Sequence, residues 1–197
     1  METTTYRKYP PIIGFHGAIG AGKDTFANII HRKLLQEGQF AVVRRFADPL
    51  KDVVATFLNV SRQTLEDRNF KETPLEYFQN FTPRDLMTKF GDSMKSFLSH
   101  DVFVNCMARF YDQEVFENVI LIPDVRYINE LRWIENQQGI VIHIDREDNP
   151  FFKPSDHSSE NELVDYPFVI KAQNDCTLEE LPESMDVLLH AIRGFVN

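Results

Sequence analysis

Gly17-Ala-Ile-Gly-Ala-Gly22-Lys23-Asp24-Thr25 is the stretch that decides the fold of this chain. It fits the spacing G-x-x-x-x-G-K. Before it stands an apolar run, Ile12-Ile-Gly-Phe15, and after it an amphipathic run with Phe26, Ile29, Ile30 and Leu34 on one helical face. Strand, glycine-rich turn and helix in that order make an anion site. Glycines let the backbone curl so that successive N–H groups meet in one concavity, and the positive end of the helix completes it. Gly17, Ala18, Gly20, Ala21, Gly22, Lys23, Asp24 and Thr25 are therefore candidate ligands of a nucleoside triphosphate. Lys23 is placed to reach its β- and γ-phosphates.

One position departs from the usual motif. Asp24 follows the lysine where Ser or Thr commonly touches Mg²⁺, and Thr25 comes one place later. Asp24 could hold magnesium through water or cap the helix, and Thr25 could bond a phosphate oxygen.

Outward from the loop, short apolar runs alternate with amphipathic segments, which predicts an α/β domain built on a mostly parallel sheet. Strands are expected over 11–16, 40–46, 119–122, 139–144 and 168–171. The wholly apolar Val119-Ile-Leu-Ile122 reads as a central strand buried on both faces. A helix capped by Asp48, with Pro49 at its first position, should bury Leu50, Val53, Val54, Phe57 and Leu58. Thr82-Pro83-Arg84-Asp85 starts another, and further helices are expected over 102–111 and 178–195. Periodicity fades over 59–81, which reads as a lobe, and the polar stretch 146–160 reads as a lid. The expectation is a single domain over 1–197, with a parallel sheet of about five strands flanked by helices.

The end of the buried strand carries a second set of charges, Pro123-Asp124-Val125-Arg126 with Glu130 four residues on. Ligands of parallel sheets bind at the carboxyl ends of the strands. Asp124 could hold magnesium there, orient an acceptor, or merely cap the next helix, and Arg126 could pair with a phosphate. The GTPase signatures D-x-x-G and N-K-x-D are not found, and Val125 stands where motor-type ATPases place a glutamate. An arginine near the loop suits phosphoryl transfer between two anionic nucleotides, whose clustered charge needs cations.

Composition narrows the class further. The net charge of −9 argues against a nucleic-acid partner, since such binding rests on neutralised phosphates. No apolar run approaches the roughly 20 residues of a membrane span, and the start Met1-Glu-Thr-Thr-Thr lacks the marks of a signal peptide. Cys106 and Cys176 stand in unrelated contexts and are expected to be structural thiols of a cytoplasmic protein. Trp133 is expected in the core.

Taken in order, G-x-x-x-x-G-K-D-T, Phe46-Ala-Asp-Pro-Leu-Lys51, Arg84-x-Leu-Met-x-x-x-Gly91, Pro123-Asp124-x-Arg126-x-x-x-Glu130 and Asp156-His157-x-Ser159-Glu160 resemble the bacteriophage deoxynucleoside monophosphate kinases. The resemblance runs from Ile12 to the C-terminus. It implies a P-loop NTPase of nucleoside monophosphate kinase type, with a three-layer α/β/α fold, an acceptor lobe and a lid. It further implies ATP and Mg²⁺ as donor and cofactor, a deoxynucleoside monophosphate as acceptor, host cytoplasm as location and a possible homodimer. Lys23 and Thr25 would hold donor phosphates, and Asp124, Arg126 and Glu130 would serve the acceptor, with Lys51 and Arg84 as further cations for it. Magnesium would fall to Asp24, Thr25 or Asp124, and Arg146 and His157 to the lid or the adenine. Two other readings stay open. One is a dephospho-coenzyme A kinase-like enzyme, with Asp48 as base for a sugar hydroxyl, and the other is a nucleotide-binding module without transfer chemistry.

Overall fold

The computed structural model describes residues 8–113, 118–150, 162–177 and 179–195. It divides into two compact units, one comprising Met1–Arg45 with Gln113–Asn197 and the other Phe46–Asp112.

The first unit is built on five parallel strands: β1 Ile12–His16, β2 Ala41–Val43, β3 Val119–Ile122, β4 Ile140–Asp145 and β5 Ile170–Gln173, ordered β2-β3-β1-β4-β5. β1 and β3 are buried throughout, as their unbroken apolar runs require. Successive side chains of β1 point to opposite faces. Ile13 and Phe15 join the core made with Phe26, Ile30 and Leu34 of α1 (Lys23–Gln36) and with Leu181, Met185, Leu188, Leu189 and Ile192 of the last helix, Leu181–Arg193. Gly14 faces the other way, where a Cβ would stand 2.8 Å from Cδ1 of Ile134 and 2.9 Å from Cγ2 of Val125. That clearance admits the helix Ile128–Asn136 onto the second face. Helices on both faces of a parallel sheet make the three-layer α/β/α arrangement of the P-loop fold.

Several expectations are corrected. The second strand is only three residues long, although the Arg44 N–H still donates to the Leu121 carbonyl at 3.0 Å just beyond it. The fifth strand begins at Ile170, two residues late, since Phe168 stacks on two histidine rings. The last helix starts at Leu181 because Glu180 accepts bonds from the N–H and Oγ of Thr177, closing a turn ahead of it. Trp133 is only half-buried, and Cys106 is exposed.

The second unit is helical: α2 Asp48–Phe57, α3 Arg62–Glu66, α4 Arg68–Lys71, a 3₁₀ turn at Glu76–Phe78, α5 Pro83–Phe97 and α6 Val102–Tyr111. Thr82 and Asp85 form a reciprocal cap at the start of α5, each satisfying the other's backbone N–H. α2 buries Leu50, Val54 and Ala55, while Val53 and Phe57 of the expected stripe are exposed. Phe57 instead meets the rings of Phe78 and Phe90 at 5.3 and 5.2 Å. Ala47 rather than Asp48 occupies the cap of α2. The Asp48 carboxylate pairs with Arg62, which also reaches Asp52 and Glu66. No helix among the described residues is long and apolar enough to cross a membrane.

Candidate active site

The motif loop leaves β1 at its carboxyl end and returns into α1, in the first unit. Gly17, Gly20 and Gly22 have φ of 147°, 83° and 101°, a region that side-chain-bearing residues rarely adopt. At Gly17 a Cβ would also stand 2.3 Å from the Ile144 carbonyl oxygen, so the loop passes too close to β4 for any larger residue. Lys23 bends back over the curl, and its Nζ donates to the carbonyls of Gly17 and Ala18 at 2.5 and 2.8 Å.

Asp24 lies in the first turn of α1, exposed, with Oδ1 accepting from Arg45 at 2.6 Å. Arg45 thus already occupies one oxygen of this carboxylate. Thr25 is half-buried on the next position of the same turn. Hydroxyl and carboxylate oxygens are hard donors of the kind magnesium takes alongside substrate phosphates and water. Thr25 and Asp124, both half-buried, carry donors of that kind. Among the described residues no group of three His, Cys, Asp or Glu side chains forms a ready-made metal cage.

The Asp124 station is set by the sheet. The Val125 N–H donates to the Phe15 carbonyl at 3.2 Å, which holds the end of β3 beside the end of β1. Glu130 is buried, with 4% of its surface exposed, and its Oε2 accepts the backbone N–H groups of Arg126 and Tyr127 at 2.8 and 3.1 Å. The carboxylate thus caps the helix Ile128–Asn136 and fixes the backbone from which the Arg126 side chain projects.

Beneath the loop lies a feature that no sequence motif marks. His16, the residue before Gly17, is register partner to His143 of β4, and their Nδ1 atoms lie 3.0 Å apart. One Nδ1 must carry a proton and the other accept it, so the rings hold opposite tautomers. Phe168 stacks on both rings at 5.0 and 5.1 Å. Burial above all, then the charges of His143, Lys23 and Arg126, pushes the His16 pKa down to about 3. Burial lowers that of His143 as well. His16 is thus a buried neutral ring directly before the loop.

That ring gives stability a pH dependence. His16 titrates near 6.5 in the unfolded chain and near 3 in the fold, so below pH 6.5 the unfolded state binds the extra proton. Stability should fall as pH drops below 6.5, by about 1.4 kcal/mol per pH unit once the unfolded ring is fully charged. Urea unfolding at pH 6.5 and 5.5, above most carboxylate titration, reads this. An unchanged slope in His16→Asn would trace the pH dependence to other groups.

Three side chains grip the outer rim of the loop. Asn149 Nδ2 donates to the Ile19 carbonyl at 2.7 Å, Arg146 to that of Gly20 at 3.3 Å, and Asn174 Nδ2 to that of Ala21 at 2.7 Å. Arg146 is thereby brought to the loop, while His157 lies outside the described residues. Lys51 and Arg84 belong to the second unit. Lys51 pairs with Glu66 at 2.7 Å and Arg84 with Glu72 at 2.7 Å. Burial favours the neutral form of Glu66, but bonds from Lys51 and Lys71 overrule it and hold the acid at about 2.

No family model matches the sequence. A protein of Acanthamoeba polyphaga mimivirus, provisionally named a deoxynucleotide monophosphate kinase, is 31% identical over 183 residues, which span 86% of this chain and 91% of that protein. Among solved structures, an APS kinase of Mycobacterium tuberculosis in complex with AMPPNP and APS aligns with 92% of this chain and 98% of its own, at 12% identity and a TM-score of 0.45. A shikimate kinase of Aquifex aeolicus aligns with 91% of this chain and 96% of its own, at 15% identity and a TM-score of 0.40. The mimivirus protein matches along nearly its whole length. The chain belongs to the family of that relative, the P-loop kinases of nucleoside monophosphate kinase type.

Proposed function

We propose that the protein transfers the γ-phosphate of ATP to a deoxynucleoside monophosphate, releasing ADP and a deoxynucleoside diphosphate. What supports the reading is the glycine curl at the carboxyl end of β1, with Lys23 folded back over it, beside the end of β3 from which Asp124 and Arg126 follow. Two cations serve a reaction whose reactants are both anionic better than they serve hydrolysis of one. The name given to the mimivirus relative supports the choice of acceptor.

In this mechanism the loop N–H groups and Lys23 bind the triphosphate and draw charge from its γ-phosphoryl group. An oxygen of the acceptor's phosphate attacks the γ-phosphorus in line, and the bond to the β,γ-bridging oxygen breaks. No covalent enzyme intermediate forms. The acceptor phosphate is already ionised, so the chain needs no general base and works by position and charge. Arg126, anchored through Glu130, takes the acceptor's phosphate or the equatorial oxygens of the group in flight. Thr25 and Asp124 would hold magnesium, whose charge would offset that of the triphosphate. Lys51 and Arg84 are assigned to the acceptor on the family resemblance, and each would have to exchange a carboxylate partner for phosphate.

An ADP-release assay with Mg·ATP tests the reading against a panel of deoxynucleoside and ribonucleoside monophosphates and dephospho-coenzyme A. At least one deoxynucleotide should raise ADP formation well above the acceptor-free rate. Stimulation by dephospho-coenzyme A alone would replace this reading with the hydroxyl-phosphorylating one.

A further inference from the structure

Asn174 follows β5 and lies far in sequence from the loop that it touches. Its Nδ2 donates to the Ala21 carbonyl at 2.7 Å, and it lies so close to Gly22 that a Cβ there would stand 2.4 Å from that nitrogen. Its own backbone N–H donates to the Asp145 carbonyl at 2.8 Å, and the adjacent Asp175 accepts the Glu147 N–H at 3.1 Å. The segments after β4 and β5 are therefore tied to each other as well as to the loop. Asn149, from the first of these segments, takes the Ile19 carbonyl.

A trans peptide points its carbonyl and its N–H in opposite directions. Drawing the Ala21 carbonyl outward therefore turns the Gly22 N–H away from Asn174, toward the concave side. Drawing out the Ile19 carbonyl does the same for the Gly20 N–H. Gly20 and Gly22, with φ of 83° and 101°, have no Cβ to restrict how these peptides turn, so the bonds on their carbonyls set their orientation. An amide side chain suits the task, because only its NH₂ can bond a carbonyl.

We propose that Asn174, assisted by Asn149, is a positioning residue for ATP: from outside the loop it sets the aim of the Gly22 N–H at the donor's phosphates. The proposal rests on the loop's being an ATP site, not on the identity of the acceptor. Asn174 itself makes no contact with substrate. It acts through the peptide that it holds.

The isosteric Asn174→Asp keeps shape but turns a donor into a carboxylate oxygen facing a carbonyl. Calorimetry of Mg·ATP binding, beside steady-state kinetics with the best acceptor, reads the result. Asn174→Asp should raise the dissociation constant for ATP roughly tenfold or more, as loss of an aligned hydrogen-bond donor implies. The KM for the acceptor should stay within about twofold of wild type, since only the donor half is misaligned. Asn149→Asp, on the other rim segment, should give the same pattern and stands in should the first variant not fold. Wild-type ATP affinity in both variants would overturn the positioning role and leave the kinase reading intact. So would equal losses for ATP and acceptor, which mark a general loss of fold. Failure of the wild-type protein to bind ATP would overturn both.

Discussion

Lys23→Met should lower kcat/KM for ATP by about a hundredfold to a thousandfold, the usual cost of removing one group that stabilises developing charge. Methionine keeps an unbranched apolar stem of similar reach and loses only the ammonium. The folded protein should tolerate this. In the structure Nζ bonds the carbonyls of Gly17 and Ala18, which are part of a curl already shaped by its glycines and by the groups on its outer rim. Losing Lys23 also removes one of the charges that depress the His16 pKa, so acid tolerance should improve slightly. Kinetics at saturating acceptor, with the thermal midpoint measured alongside, separates chemistry from folding. Activity within threefold of wild type would show that the ammonium does not serve the triphosphate.

Arg126→Ala is expected to cost about 2–4 kcal/mol in kcat/KM for the acceptor, with a much smaller change in the KM for ATP. The backbone of residue 126 stays fixed in this variant, because Glu130 holds its N–H, which alanine keeps. Arg126→Lys should recover only part of the loss, since an ammonium cannot bond two phosphate oxygens in a planar fork. Acceptor kinetics that do not move in Arg126→Ala would exclude that side chain from the transfer.

The parts of this site that lie along one short stretch of chain are legible in the sequence. Gly17 to Thr25 announces itself because the curl, its lysine and the helix that completes it are consecutive. Asp124 and Arg126 are legible because an apolar strand such as Val119–Ile122 can only be central, and residues just past a central parallel strand stand at the ligand-binding edge. The hidden parts depend on pairing across the sheet. His16 and His143 are 127 residues apart and meet through the β1–β4 register, which no local pattern encodes. The signal available is weak: a histidine directly before the loop and another inside an otherwise apolar strand. Asn174 gives no sign of its role, because it belongs to no motif and its side chain crosses to Ala21, far away along the chain. Spacing identifies Glu130 but not its direction, for i and i+4 place a carboxylate near Arg126 without saying which of its atoms is engaged. On α2 the helical period is right, yet Val53 and Phe57 are exposed and Ala55 is buried. An apolar stripe names a face, and packing partners decide how much of it is covered.

β1 has a hydrogen-bonded neighbour on each side, β3 and β4. The strand that carries the glycine curl therefore cannot swing aside without breaking two ladders together, unlike β2 or β5 at the margins. Little conformational freedom remains to be surrendered when a triphosphate arrives, so the cradle's affinity is spent on phosphate rather than on its own ordering. Selectivity for the donor is then a matter of rigid geometry, and discrimination among acceptors has to be sought in parts of the chain other than this strand.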